Sequence, residues 1–212
     1  PICFPICGGL RDGRAMTMGG REVKLARHGF ARKQEWKLEE QSDNMVVLSL
    51  SSADHAELLE QYPYPFKIVA RYTIDAEKVA VSYEVTNEGT EDMPFFVGGH
   101  PGFKCPLDEG ESYDDYELRF EQREAAELCT AVPSTGLIDV EHRSKNPMVG
   151  HDLPLTHELF DFAETIFDVL ESRVVTLTKK TEDKGVRLTF PDMPYLIVWS
   201  KPEGDFVAVE PW

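Results

Sequence analysis

The sequence predicts an all-β protein, built as a large sandwich of antiparallel sheets. Three observations lead to this fold class. Short apolar and β-branched runs recur along the chain, turn sequences separate several of them, and helical periodicity is weak throughout. The 212 residues, 42% of them apolar, suffice for one large domain with a real core. We therefore expect a single domain over residues 1–212.

The predicted strands follow from local pattern. "NMVVLSLSS" (44–52) is β-branched and apolar, and the runs 66–75 and 78–87 alternate on either side of the hairpin turn "DAEK". In the second of these runs Val79, Val81, Tyr83 and Val85 share one face. Further strands are predicted at 116–122, 172–180, 185–191, 195–201 and 205–212, with turns at "TEDKG" and "KPEGD".

Four segments do not fit a strand pattern. Residues 53–63 and 156–164 are short helical candidates, 106–117 is an acidic loop and 142–155 is an irregular connection. No repeat or interdomain linker is visible. Both ends of the chain run through apolar, strand-like sequence, so we expect a fragment of a longer domain that lacks terminal strands.

Composition restricts the partners. With 38 acidic and 22 basic residues the formal net charge is −16, which would repel nucleic acid over most of the surface. No apolar run approaches the roughly 18 residues of a membrane span, and no signal peptide is visible. The four cysteines lack the spacing of a zinc site, which favours reduced thiols and a cytoplasmic location.

Two histidines stand in similar glycine-rich settings, His28 in "RHGFAR" and His100 in "GHPGF". Glycine allows a ligand or another backbone to approach closely. Each histidine is either a structural residue or part of a shared binding site, and the similarity of the two settings favours the shared site.

The last motif, "FVAVEPW", places a carboxylate at the end of a strand. Alternation puts Glu210 on the face of Phe206 and Ala208, and Val207 and Val209 on the other. Glu210 is then either a surface residue near a strand end or a base held in a cleft. Dinucleotide, P-loop, zinc-protease and nucleophile-elbow motifs are all missing.

At these motifs the chain resembles the aldose 1-epimerase (galactose mutarotase) family, in its bacterial branch related to lactose-operon epimerases. The matching stretches include "FPICGGLRDG", "HGFAR", "GGHPGF" and the terminal "EPW", in the family's order and over almost the whole chain. The resemblance implies a galactose mutarotase-like supersandwich with a sugar cleft on its concave face, and a family chain that extends beyond both ends of this one.

The resemblance also implies roles for individual residues. His100 matches the general acid, Glu210 the general base and His28 a substrate-orienting histidine. The family's arginine is replaced by Gly9, and we expect Arg11, two positions on along a strand, to substitute for it in binding substrate. The family's substrate-binding aspartate falls at Ala163, where Asp161 or Glu164 would replace it.

The implied enzyme is an isomerase that interconverts the α and β anomers of a free hexose such as galactose or glucose. The carboxylate takes the proton of the anomeric hydroxyl while the imidazolium donates one to the ring oxygen, from opposite sides of the sugar. No metal and no organic cofactor is required. Phe95, Phe96, Phe103 and Trp199 offer faces for sugar C–H groups, although core packing is favoured for Phe95 and Phe96.

Two alternatives stay open. The first is a hexose-6-phosphate 1-epimerase, for which Arg11, Arg14, Arg27 and Arg32 are available near His28. The second is a carbohydrate-binding module without turnover, which the loss of the arginine at Gly9 favours.

Overall fold

A computed structural model describes all of residues 1–212, as β-strands and short 3₁₀ turns without an α-helix. Every pairing between successive strands of its larger sheets is antiparallel, which confirms the predicted all-β class. No helix has the length and apolar character needed to cross a membrane. The chain divides into two compact units, an amino-terminal unit (Ile2–Val97) and a carboxyl-terminal unit (Pro1 with Gly98–Trp212). The single domain over 1–212 remains a prediction.

The amino-terminal unit carries seven strands and three 3₁₀ helices. The strands are β1 (Ile2–Cys3), β2 (Arg14–Met16), β3 (Glu22–Lys24), β4 (Lys37–Ser42), β5 (Met45–Ser51), β6 (Phe66–Asp75) and β7 (Lys78–Asn87). The 3₁₀ helices are Arg11–Gly13, Ala31–Lys33 and Ala56–Glu60. Strands β4 to β7 pair in sequence order as one sheet, and a core rich in aromatic residues packs on it around Phe4, Phe30 and Phe66.

The predicted β6–β7 hairpin is confirmed, with Asp75 opposite Lys78 at its turn. Alternation along β7 is confirmed as well, but its apolar face is only partly covered. Tyr83 and Val85 pack against the core, whereas Val79 and Val81 near the turn are exposed.

The carboxyl-terminal unit carries eleven strands and two 3₁₀ helices. The strands are β8 (Gly98–Gly99), β9 (Gly102–Lys104), β10 (Tyr116–Phe120), β11 (Leu128–Val132), β12 (Leu137–Ser144), β13 (Asp152–Pro154), β14 (Thr165–Phe167), β15 (Val174–Lys179), β16 (Gly185–Thr189), β17 (Leu196–Trp199) and β18 (Phe206–Pro211). The 3₁₀ helices are Tyr113–Asp115 and His157–Phe160.

Two sheets form the carboxyl-terminal unit, one in the order β13-β10-β15-β16 and one in the order β12-β11-β14-β17-β18-β9. Leu118 and Leu177 of the first sheet and Val198 and Val207 of the second belong to one buried cluster. This unit is therefore a sandwich whose six-stranded sheet has one face in the core and one face outside it.

All eight predicted strands are confirmed, with ends within two residues of those expected. The irregular connection predicted at 142–155 is confirmed only between Ser144 and Asp152, because β12 continues to Ser144 and β13 lies at Asp152–Pro154. The two helical candidates form only the 3₁₀ helices Ala56–Glu60 and His157–Phe160, since both segments are too short to sustain a longer helix.

Candidate active site

Alternation along β18 directs Glu210 away from the core. Val207 and Val209 lie in the buried cluster between the sheets, and Glu210 therefore lies on the outer face of the six-stranded sheet, as the sequence predicts. Glu210 is nevertheless only 2% exposed. A carboxylate so deeply buried requires a polar or charged partner.

That partner is His100. The Nε2 atom of His100 lies 3.2 Å from Oε1 of Glu210, and the His100 side chain keeps 22% of its surface exposed. Backbone hydrogen bonds hold both residues: the His100 N–H donates to the Pro1 carbonyl (3.0 Å), and the Val209 N–H donates to the Pro101 carbonyl (3.1 Å). We call His100 and Glu210 the acid–base pair.

The geometry of the acid–base pair differs from the one expected. Two groups on opposite sides of a sugar would be separated by the width of a ring, and this expectation is wrong, because the two side chains touch. Glu210 lies on β18, and His100 lies two residues before β9, the strand that pairs with β18. Only a substrate that approaches from one side can meet both groups.

The surroundings of Glu210 on this face are apolar. Ile197 lies directly opposite Glu210, Ile166 opposite Ile197, and Cys129 opposite Ile166, so that one row crosses four strands. Cys129, Ile166 and Ile197 form a small buried cluster against which Trp212 packs. Burial raises the pKa of the Cys129 thiol to about 11. The row screens the acid–base pair from water on one flank.

An aromatic pair lies on the other flank. Trp199 is the β17 partner of Ala208, and its ring meets that of Phe206 at 5.6 Å with an interplanar angle of 62°. Among the other aromatic residues expected at the sugar, Phe103 packs against the core instead. Phe95 and Phe96 lie in the amino-terminal unit with 40% and 57% of their surfaces exposed. Phe95 still packs its ring against the buried Phe4, at 6.0 Å between centroids, whereas the core packing expected for Phe96 is wrong.

A charged pair that the sequence did not reveal borders the apolar row. The Arg143 guanidinium binds Asp168 with two parallel hydrogen bonds, Nη1 to Oδ1 at 3.0 Å and Nη2 to Oδ2 at 2.6 Å. These bonds hold the pKa of the Asp168 carboxyl below its usual range. Arg143 also donates to the Glu127 carbonyl, which ties β12 to the start of β11. The pairing joins β12 to the residue that follows β14, 25 positions further along the chain, so no local motif predicts it.

His28 lies in the amino-terminal unit and is 5% exposed. Its Nδ1 accepts a hydrogen bond from the Gly8 N–H at 3.2 Å, which assigns the ring proton of the neutral imidazole to Nε2. Its φ of 63° lies in the left-handed region. Such a conformation costs on the order of 1–3 kcal/mol for a residue with a side chain and is commonest where position matters for function. The local structure therefore fixes the ring as a donor through Nε2.

Arg11 and Asp161, which were also expected to bind substrate, lie in or at the end of short 3₁₀ helices rather than on strands. Arg11 opens the exposed 3₁₀ turn Arg11–Gly13, so the argument that it shares a strand face with position 9 is wrong. Asp161 is exposed at the end of the 3₁₀ helix His157–Phe160. Glu164, just before β14, is two residues from Ile166 and by alternation shares its face. Between the two acids, the sheet favours Glu164 as the one beside the acid–base pair.

Comparison with known proteins identifies the family. The sequence profile of the family described as aldose 1-epimerase matches residues 1–212. The chain is also similar to the plasmid LacX protein of Lactococcus lactis subsp. lactis, with 40% identity over 218 aligned positions that cover all of this chain and 72% of the relative.

Solved structures agree. A galactose mutarotase-like protein from Lactobacillus casei shares 31% identity and superposes with a TM-score of 0.82, covering all of this chain and 71% of the other. A galactose mutarotase related enzyme from Lactobacillus acidophilus shares 28% identity with a TM-score of 0.87, covering all of this chain and 70% of the other. The fold is therefore galactose mutarotase-like, and the chain belongs to the aldose 1-epimerase family.

Proposed function

We propose that the protein is an aldose 1-epimerase that interconverts the α and β anomers of a free hexose, with galactose or glucose as substrate. The observation that carries the proposal is the direct contact between His100 and Glu210 on the outer face of the six-stranded sheet. Family membership supports an isomerase acting on a sugar, and the acid–base pair supplies the two groups that such a reaction needs.

The reaction opens a cyclic hemiacetal and closes it on the other face of the carbonyl. Glu210, as carboxylate, accepts the proton of the anomeric hydroxyl. His100, as imidazolium, donates a proton to the ring oxygen, and the bond between that oxygen and the anomeric carbon breaks. After rotation about the neighbouring carbon–carbon bond, the two residues return the protons in the opposite sense and the ring closes as the other anomer.

Contact between the two side chains suits this chemistry. The anomeric hydroxyl oxygen and the ring oxygen are bonded to the same carbon, so both can face one pair of adjacent side chains. When His100 is protonated the pair is an ion pair, and it then already contains the base and the acid in the required forms. The low exposure of Glu210 strengthens its electrostatic interaction with the substrate hydroxyl.

We also propose a cytoplasmic location, because Cys105 and Cys129 are free buried thiols, which a reducing compartment preserves. Subcellular fractionation tests this point. Arg11 and His28 remain proposed substrate-binding residues, and substitution of each by alanine, with the Michaelis constant as readout, tests them.

The activity test is polarimetry on freshly dissolved α-galactose and α-glucose, with glucose 6-phosphate as the charged competitor. The protein should accelerate the loss of optical rotation above the spontaneous rate. Each of His100→Ala and Glu210→Gln should slow the enzymatic reaction about 10²- to 10⁴-fold. Unchanged rates in both variants reject the site. Saturable sugar binding without any acceleration identifies a binding module instead.

A further inference from the structure

Strand β7 forms one edge of the four-stranded sheet in the amino-terminal unit. The order β4-β5-β6-β7 leaves one side of its backbone without a neighbouring strand. β7 is ten residues long, contains neither proline nor glycine, and pairs with β6 in continuous register. The other edge strand, β4, is interrupted by a bulge between Leu38 and Glu40. Because bulges and prolines protect sheet edges from further pairing, β7 is an open edge and β4 is a protected one.

The side chains near the turn end of β7 are apolar and uncovered. Val79 and Val81 keep 63% and 44% of their surfaces exposed, and Ile74, opposite Val79 on β6, keeps 54%. Tyr83, two residues beyond Val81 on the same face, is partly covered by the core. A long edge strand with exposed apolar side chains is a surface on which another strand can pair.

The backbone of β7 also directs hydrogen-bonding groups to this edge. The Ile74 N–H donates to the carbonyl of Asn44, the residue before β5, and so points away from β7. Residues that lie opposite each other in an antiparallel pair share the same direction relative to that pair, and Ile74 lies opposite Val79. The N–H and carbonyl groups of Val79 therefore point outward from the edge, as do those of Val81 and Tyr83.

The two charged residues of β7 are placed symmetrically and have opposite signs. Lys78 and Glu84 are exposed on the face opposite to the valines, each three residues from Val81. When two copies of β7 pair antiparallel about a two-fold axis through Val81, Lys78 of each copy lies opposite Glu84 of the other. Val81 then meets Val81 of the second copy, and Val79 meets Tyr83. No other antiparallel register of two copies brings the lysine opposite the glutamate.

We propose that the open edge of β7 binds β7 of a second copy of this chain, so that the two four-stranded sheets continue into one another. A two-fold interface of this kind is self-complementary. Cross-strand pairs of opposite charge and pairs of apolar side chains stabilise such an antiparallel contact. The dimer uses residues of the amino-terminal unit alone and does not depend on the proposed catalytic activity.

Exchange of the two charges tests the register. Sedimentation over a range of protein concentrations should show the wild type in equilibrium with a species of twice the 24.0 kDa chain mass. Glu84→Lys places lysine opposite lysine at both ends of the interface and should raise the dimer dissociation constant about tenfold or more. Lys78→Glu should have the same effect. The variant with both substitutions restores the two ion pairs with their signs exchanged, and its constant should lie within about threefold of the wild type.

Glu40→Lys is the matched control, because it makes the same change of charge at an exposed position of β4. Its dissociation constant should equal that of the wild type. An equal loss of affinity in Glu40→Lys and Glu84→Lys would overturn the proposal, and so would a double-charge variant as weak as the single ones. A wild type that is monomeric at every concentration also overturns it. Species larger than a dimer would indicate pairing of β7 with β4 of the next copy, and overturn it as well.

A crosslink locates the two-fold axis independently of the charges. Val81→Cys places the two thiols opposite each other, at a Cα separation of about 5.5 Å that a disulfide can span. Oxidised glutathione should therefore join the two copies of this variant covalently. Ile74→Cys is the control, since its side chain is similarly exposed but lies one strand further from the edge. Equal crosslinking of both variants, or of neither, would overturn the proposed pairing.

Discussion

The contact between His100 and Glu210 predicts that the two residues act as a unit rather than independently. The perturbations are His100→Ala, Glu210→Gln and the double variant. Their effect is read as the ratio of kcat/KM for galactose relative to the wild type, which gives the loss of transition-state stabilisation.

The magnitude follows from the geometry. General acid or base assistance contributes about 10²- to 10⁴-fold in rate, or about 3–5 kcal/mol for each group. Independent groups would give a double variant slower by about 10⁴- to 10⁸-fold, the product of the two single effects. Because the side chains touch at 3.2 Å and exchange protons with two oxygens bonded to the same carbon, loss of either side chain removes the partner of the other. We therefore expect the double variant to be about as slow as the slower single variant.

The assay is nuclear magnetic resonance exchange between anomers at equilibrium, which measures the enzymatic rate above the spontaneous one. Melting temperatures of all variants are measured in parallel, since His100→Ala leaves a buried carboxylate beside the gap. A double variant whose loss equals the product of the single losses would refute the coupling and with it the one-sided arrangement.

The remaining predictions concern the scaffold. Burial raises the pKa of Cys105 to about 12 and that of Cys129 to about 11, so both thiols should resist alkylation at pH 8 in the folded protein and react only after unfolding; labelling of either in the native state, followed by mass spectrometry, would contradict this. Gly29→Ala should lower stability by several kcal/mol, because its Cβ would lie 2.1 Å from the Phe4 carbonyl oxygen at a φ of +69°, and denaturant unfolding with an unchanged midpoint would count against that contact. Ala76→Gly should stabilise the β6–β7 turn by up to about 1 kcal/mol, since Ala76 has a φ of 49°; a lower melting temperature would show that the turn is not strained.

Local pattern predicted the orientation of Glu210. The alternation of "FVAVEP" assigns Val207 and Val209 to the core and Glu210 to the other face, and the structure agrees because strand alternation is a property of the backbone alone. The turn "KPEGD" likewise joins two predicted strands, and the hairpin that results pairs Trp199 with Ala208.

Long-range register could not be predicted in the same way. His100 reaches Glu210 because β9 pairs with β18, and β9 is only three residues long, too short for a periodic signal. The direct contact of the two side chains follows from that pairing. The sequence identified His100 and Glu210 as the acid and the base, but it did not determine the distance between them. The expectation that they lie on opposite sides of the sugar was therefore an assumption about geometry.

The conformation of loops was the second feature that the sequence analysis did not predict correctly. Arg11 was expected on a strand, but "LRDGR" forms a 3₁₀ turn in which Asp12 has a φ of 53°. Aspartate and glycine both tolerate such turns, so the sequence contained the signal. Arg143 and Asp168 gave no comparable signal, because an ion pair between residues far apart in the sequence depends on the completed fold.

A crystal structure of the Glu210→Gln variant with bound galactose tests the central claim most directly. The account predicts one pyranose on the outer face of the six-stranded sheet, with its anomeric hydroxyl on residue 210 and its ring oxygen on Nε2 of His100, both met from the same side. A sugar lying between the two side chains, or bound away from both, would contradict it.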